Sequence, residues 1–134
     1  MPDDRPTAAE LVDAVAEFLE HDLQPTLDGR LAFHTRVAVN ALKIVRREME
    51  VGPALDDARR DGLDALLGRD ESDADSAPIT TRERQHELAR RIRDGSLDAE
   101  RAEVIAYLRA TLRLQLDIVH PGYIRDIAGE VPAT

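Results

Sequence analysis

The residues with chemistry to offer are four histidines, two tyrosines, and eighteen basic residues of which only Lys43 is a lysine. Glu83-x-x-His86 is the one literal match to the Glu-x-x-His element of a di-metal carboxylate site. Such a site needs a Glu-x-x-His from each of two helices and a glutamate from each of two more, all pointing inward. Glu17 and His21 stand one turn apart, but Glu17-x-x-Glu20 is the wrong pair. With the ligand set incomplete, these groups read as solvated charge and no metal site is assigned. His34 is the sharpest single residue. It falls mid-way across an apolar helix face, near the helix N-terminus, where burial and the helix dipole both disfavour the imidazolium. It is either a core histidine holding one hydrogen bond or a neutral base or ligand. Asn40 reads as a buried polar tie between helices. Arg36, one turn before it, joins that tie, binds an anion or is solvated. Tyr107 is a further candidate to line a pocket with His34 and Asn40. Tyr123, in His120-Pro121-Gly122-Tyr123, is a ring packed back on the bundle or a ligand contact. Arg82, Arg84, Arg90, Arg91 and Arg93 form a solvated face, or a surface for an acidic partner segment or a phosphate.

The elements that must position these residues are all helices. Thr7-x-x-Glu10 is a capping box, and Leu11, Val12, Val15, Phe18, Leu19 and Leu23 then recur at helical spacing. Pro25 is expected to end this first helix near residue 24. A second begins near Arg30 and runs to Val51. On a wheel of 100° per residue, Leu31, Val37, Ala38, Ala41, Leu42, Val45, Met49 and Val51 share a side, with Phe33 and Ile44 at its flank. The arc spans about 180–200°, against a stripe of about 100° for an ordinary surface helix, so more than one neighbour is expected. The first two helices should pair antiparallel across the short turn Thr26–Gly29. Residues 3–28 hold eight acids and one arginine while the second helix is net basic, which favours that pairing.

Gly52-Pro53 is expected to close the second helix and open a third over 53–67, with Leu55, Leu63, Leu66 and Leu67 apolar and Gly62 weakening it. The acidic stretch 69–78 reads as a mobile loop. A second capping box, Thr80-x-x-Glu83, starts a fourth helix over 81–94, which Gly95 closes. A fifth runs from about 97 to Val119. Val104, Ile105, Leu108, Leu112, Leu116 and Val119 make its dense face, widened by Tyr107, Leu114 and Ile118. The expected fold is all-α: one antiparallel bundle of about five helices over 7–123, the second and fifth central, with a disordered tail (1–6) and a C-terminal coil (124–134). The apolar surplus of the fifth helix faces either a second subunit, giving a homodimer, or the third and fourth helices.

The totals narrow the classes. A chain of 134 residues is long enough to bury a core. It has no cysteine, which is compatible with a reducing cytoplasm. The acidic start MPDDRPTAAE lacks the apolar core of a secretory leader, and no run approaches the roughly 18 apolar residues of a membrane span. A net charge of −9 argues against nucleic acid and anionic membranes. Aromatics at 3% argue against base-stacking platforms. Abundant alanine and arginine suggest a GC-rich bacterial genome.

Three segments carry a family resemblance: RPTAAELVDAVAEFLEHDLQP (5–25), LDGRLAFHTRVAVNALKIVRREMEVGP (27–53) and ELARRIRDGSLD (87–98). They resemble a bacterial family of small helical domains of unknown function, encoded beside or fused behind kinases of the aminoglycoside-phosphotransferase-like class, often near acyl-CoA dehydrogenase-like genes. The most specific piece is Phe33-His34-x-Arg36-Val37-Ala38-x-Asn40-Ala41-Leu42. The family's closing Pro-x-Tyr element is matched by Pro121-Gly122-Tyr123, with His120 where a more Asn-like residue is expected. None of the kinase's own catalytic elements is present, so the resemblance implies an accessory or partner of such a kinase.

No GxGxxG, P-loop, GxSxG or HExxH motif occurs, so no cofactor is assigned and catalysis is the weakest expectation. The leading one is an accessory or interaction domain whose protein partner is kinase-like or dehydrogenase-like. The alternative is a small-molecule or acyl-thioester binding domain, with a pocket around His34 between the second and fifth helices.

Overall fold

The computed structural model describes residues 4–69 and 77–123. These residues form four α-helices and no strand: α1 (Ala8–Glu17), α2 (Gly29–Leu67), α3 (Thr81–Arg93) and α4 (Arg101–Val119). Residues 1–3 of the expected tail, 70–76 of the expected acidic loop, and the C-terminal coil 124–134 lie outside the described residues.

Both expected capping boxes are formed. Thr7 N–H donates to Glu10 Oε2 at 2.9 Å and Glu10 N–H to Thr7 Oγ1 at 3.2 Å. At α3, Thr80 N–H donates to Glu83 Oε2 at 3.0 Å and Glu83 N–H to Thr80 Oγ1 at 3.1 Å. Each box satisfies two backbone donors that a helix start leaves open.

Two boundaries differ from expectation. Pro25 does not end the first helical path at residue 24. After α1 the chain widens into a π turn, Phe18–Leu23, in which Gln24 N–H reaches back five residues to Leu19 O, and then tightens into a 3-10 turn, Gln24–Thr26. Pro25 sits at the start of that last turn, where its missing N–H costs no bond. More consequentially, Gly52-Pro53 does not separate two helices. The expected second and third helices are one helix of 39 residues, α2, with Pro53 inside it. That makes four α-helices among the described residues, not five. Proline disfavours a helix by its missing N–H, by its ring's clash with the i−4 carbonyl, and by crowding the Cβ of the residue before it. Gly52 has no Cβ, so the last of these penalties is relieved, and the helix continues with one i→i−4 bond unmade. It stops at Gly68, whose positive φ of 85° is easy only for glycine.

The expected single bundle groups into two compact units: Met1–Gly52 with Asp117–Thr134, and Pro53–Leu116. In the first unit, Arg46 Nε pairs with Asp13 Oδ2 at 2.9 Å and Lys43 Nζ with Glu20 Oε2 at 3.0 Å. As the α1 number rises the α2 number falls, so α1 and α2 run antiparallel, in the sense the charge segregation predicts. Arg47 Nε also donates to Ile118 O at 2.7 Å, tying the last turn of α4 to α2. In the second unit, Leu63, Leu88, Leu97, Val104 and Tyr107 form one buried cluster, with Leu66 and Leu67 against it.

The fifth expected helix is α4, preceded by a 3-10 turn at Asp98–Glu100. Its burial differs from the expected face. Val104, Tyr107, Thr111 and Ile118 are buried, while Ile105, Leu108, Leu112 and Val119 of the dense stripe are exposed. The covered stripe is displaced by one position from the expected one.

Candidate functional site

The first unit carries an unusual distribution of apolar side chains. Among its described residues only Ala16, Val39 and Ile118 are buried, while ten large hydrophobic side chains are exposed. On α2, Leu31, Phe33, Val37, Val45 and Met49 are between 40% and 63% exposed. On α1, Leu11, Val15 and Phe18 are about half exposed (52%, 51% and 54%). The wide apolar arc of α2 is therefore covered only along the edge that holds Val39.

Helical geometry groups these side chains. On α1, Asp13 and Glu20 lie to one side of buried Ala16, and Leu11, Val15 and Phe18 to the other. On α2, Arg46 and Lys43 face those acids, while Leu31, His34, Ala38, Ala41, Val45 and Met49 follow a 3–4 spacing on the other side of Val39. In an antiparallel pair the two sides correspond. One flank of the α1–α2 hairpin is laced by Asp13–Arg46, Arg46–Glu50 and Glu20–Lys43. The opposite flank is a strip that is apolar apart from His34, with two alanines at its centre.

The expected pocket residues are distributed differently. His34 is exposed instead of buried mid-core, and its ring meets Phe33 edge-on with centroids 5.5 Å apart. The cause is the uncovered arc: α1 takes one edge of the apolar face, and position 34 lies on the other. Arg36 and Asn40 are also exposed and make no hydrogen bond or ion pair among the described residues, so Asn40 is not a buried tie. Tyr123 is exposed at the end of α4; its ring stands edge-on to His120 at 5.4 Å, and its N–H donates to His120 O at 3.1 Å. Tyr107 belongs to the second unit. It is 9% exposed, and its ring edge packs on Gly62 of α2, with Cδ2 and Cε2 inside contact distance of where a Cβ would stand.

The arginines of α3 divide by partner. Arg84 Nη1 pairs with Asp64 Oδ1 at 2.6 Å, and its Nη2 reaches the carbonyl oxygens of Leu63, at 3.4 Å, and Gly68. With its side chain 12% exposed, Arg84 is a tie between α3 and the end of α2. Arg90 and Arg91 both bond Glu87, and Arg90 also pairs with Asp94 at 3.2 Å. These bonds, from Arg90 first and then Arg91, hold the Glu87 carboxyl down at about 2 from its ordinary 4.5. Arg82 and Arg93 are exposed and unpaired among the described residues. The basic face is thus largely neutralised from within. Glu83 and His86 do not act together, because the Glu83 carboxylate is committed to its cap.

A carboxyl whose folded pKa is depressed stabilises above its unfolded pKa and loses that contribution as pH falls toward the folded value. The Glu87 contribution is accordingly present above about pH 4.5 and lost toward pH 2. Comparing urea midpoints of wild type and Glu87→Gln across that window should show a steeper acid decline for wild type. Equal declines would mean that the Arg90 and Arg91 contacts contribute nothing. The group is exposed, so the difference is expected to be small and to shrink in salt.

Sequence inspection missed two residues, Gly62 and Arg59. Gly62 looked only like a helix weakener; its role as the floor under a ring depends on which helix lies opposite. Arg59 did leave a signal, because it occupies the register of the Leu55–Leu63–Leu66 stripe, where an apolar residue is expected.

Residues 25–123 match the sequence profile of a family described as a domain of unknown function, DUF6285. No curated protein and no solved structure matches the chain.

Proposed function

The chain belongs to the DUF6285 family, and from that premise we propose that it is an interaction domain which pairs with a second copy of itself and presents the assembled helices to a protein partner. One observation carries this: the first unit buries three described residues and exposes ten large hydrophobic side chains. A soluble monomer rarely leaves an extended apolar patch uncovered. No described helix is long and apolar enough to cross a membrane, which leaves protein as the natural cover. The partner to test first is a phosphotransferase-like kinase, the neighbour that the sequence resemblance implies; the cysteine-free composition suits the reducing cytoplasm where the two would meet.

A second copy fits the strip by its own symmetry. Pair two α2 helices antiparallel about a two-fold axis between positions 39 and 40. Ala38 then meets Ala41 of the second copy, His34 meets Val45, and Leu31 comes within one position of Met49. The small pair at the centre allows the helices to approach closely, and the larger pairs close the ends. Arg30 falls beside Glu48 of the second copy, and both are exposed and unpaired among the described residues. The proposed self-contact lies on α2 of the first unit.

Sedimentation equilibrium tests the pairing. Wild type should show a two-copy species at micromolar concentration. Ala41→Glu should be monomeric with an unchanged circular dichroism spectrum, since a buried unpaired carboxylate at the centre is strongly unfavourable. Arg30→Glu should weaken the pair and Arg30→Glu with Glu48→Arg should restore it. A wild type that stays monomeric, or an Ala41→Glu variant that still pairs, sinks the self-association. In that event, co-purification of the kinase with wild type but not with Val37→Glu would still support the interaction domain. Equal recovery with both would remove it.

A further inference from the structure

A second feature lies wholly in the Pro53–Leu116 unit. A groove of about 500 Å³ runs between α3 and α4, walled by Leu88, Ile92, Leu108 and Leu112. A second hollow of about 510 Å³ shares Ile92 and Leu108 with it and continues past Val104 and Ile105. Together they make an elongated trough in the size range of small-molecule sites, largely apolar but with Gln85 and Gln115 on the lining of the first hollow and Asp98 and Arg101 on that of the second.

Two buried polar atoms on residues lining the first hollow lack hydrogen-bond partners. The Arg59 Nε and the Tyr107 hydroxyl are both shielded from solvent, and neither has a hydrogen-bond partner. Arg59 makes no ion pair among the described residues, although aspartates 56, 57 and 61 share its stretch of helix. A guanidinium is always charged, and leaving its N–H desolvated and unbonded is costly. Three other polar side chains line the wall, Gln85, Thr111 and Gln115, and none of them bonds the Arg59 Nε or the Tyr107 hydroxyl. Thr111 Oγ1 is turned onto its own helix, 3.0 Å from Tyr107 O. The arrangement therefore pairs one fixed positive charge and two unused O–H and N–H donors with a long apolar wall.

We infer that this groove binds an elongated apolar molecule ending in a carboxylate, with the carboxylate held by Arg59 and Tyr107 and the chain lying along Ile92, Leu108 and Leu112. A carboxylate has two acceptor oxygens and the opposite charge, so one group satisfies both donors. A docked helix of another protein supplies the apolar surface, but its backbone carbonyls are already bonded within it, so it would have to carry an acidic side chain at this one place. A trapped water satisfies a donor but leaves the guanidinium charge uncompensated.

The test titrates the full chain with dodecanoate, below its micelle concentration, beside dodecanol and dodecyltrimethylammonium. Nitrogen–proton NMR follows the Arg59 Nε–H resonance. Dodecanoate is expected to bind saturably at one site per chain and to move that resonance. Arg59→Met keeps the aliphatic stem and Tyr107→Phe keeps the ring on Gly62, so both should fold. Each should weaken dodecanoate by about ten- to a hundredfold, the worth of one charge-assisted hydrogen bond. The alcohol and the ammonium should bind more weakly than dodecanoate by at least a similar factor. Absent saturation, equal affinity for the three amphiphiles, undiminished binding by either variant, or an unmoved Nε–H resonance would each overturn the proposal. The last outcome would leave a water or a partner helix as the occupant.

Discussion

Gly62→Ala will destabilise the Pro53–Leu116 unit by about 1–3 kcal/mol, although alanine is the better helix former by about 1 kcal/mol. A methyl group at position 62 would stand inside contact distance of Tyr107 Cδ2 and Cε2, and 3.3 Å from Cγ. The ring cannot swing clear without leaving the cluster of Leu63, Leu88, Leu97 and Val104. The Cβ is fixed to a helix backbone, so the backbones or the ring must yield, and packed interiors resist both. The sign reverses once the ring is gone. In a Tyr107→Ala background, Gly62→Ala should stabilise by up to about 1 kcal/mol, since only the helix preference remains. Urea unfolding with amide exchange at Leu63 and Val104 reads both cases. A neutral or stabilising Gly62→Ala in the wild-type background would refute the packing described for Tyr107.

Arg84→Ala should cost about 2–3 kcal/mol, more than any other arginine of α3. Its guanidinium serves Asp64 and two backbone carbonyls at the end of α2. Removing it leaves a carboxylate that is only 31% exposed without its counter-charge, and Gly68 O without this donor. Arg84→Lys should recover only part of the loss, because a point charge cannot reproduce the planar fork. Arg82→Ala and Arg93→Ala should stay within about 0.5 kcal/mol, as expected of exposed, unpaired side chains. High salt should weaken the exposed Glu87 contacts and leave the Arg84 effect nearly unchanged. If Arg84→Ala proved as mild as Arg93→Ala, Arg84 would return to the surface set available to partners.

Much of the local structure was legible in the residues. The two capping boxes, the absence of strands among the described residues, the helix stops at Gly68 and Gly95, and the antiparallel run of α1 and α2 all follow from short-range chemistry. Turns, caps and charge segregation act between residues that are close in the chain or held close by a short turn. The Gly52-Pro53 boundary failed for a reason that is also local. The dipeptide often separates helices, but glycine before proline relieves one of the clashes that favour a break. The choice between a break and a continuous helix then passes to packing.

The sequence by itself determined which elements are helical and that their apolar arcs are wide. It could not determine which part of each arc is covered. On α2 the covered edge is at Val39 and the open one holds Leu31, His34 and Val45; on α4 Tyr107 and Thr111 are covered while Leu108 and Leu112 are open. Periodicity records that a face is apolar, and on an arc of about 180° several stripes satisfy it equally. Only the tertiary structure selects among them, because burial depends on where a neighbouring helix lies and on what it carries there. Gly62 beneath the Tyr107 ring settles that choice in the second unit. In the first unit the pairing of Asp13 with Arg46 and of Glu20 with Lys43 turns the charged flanks together, which leaves the apolar strip facing outward.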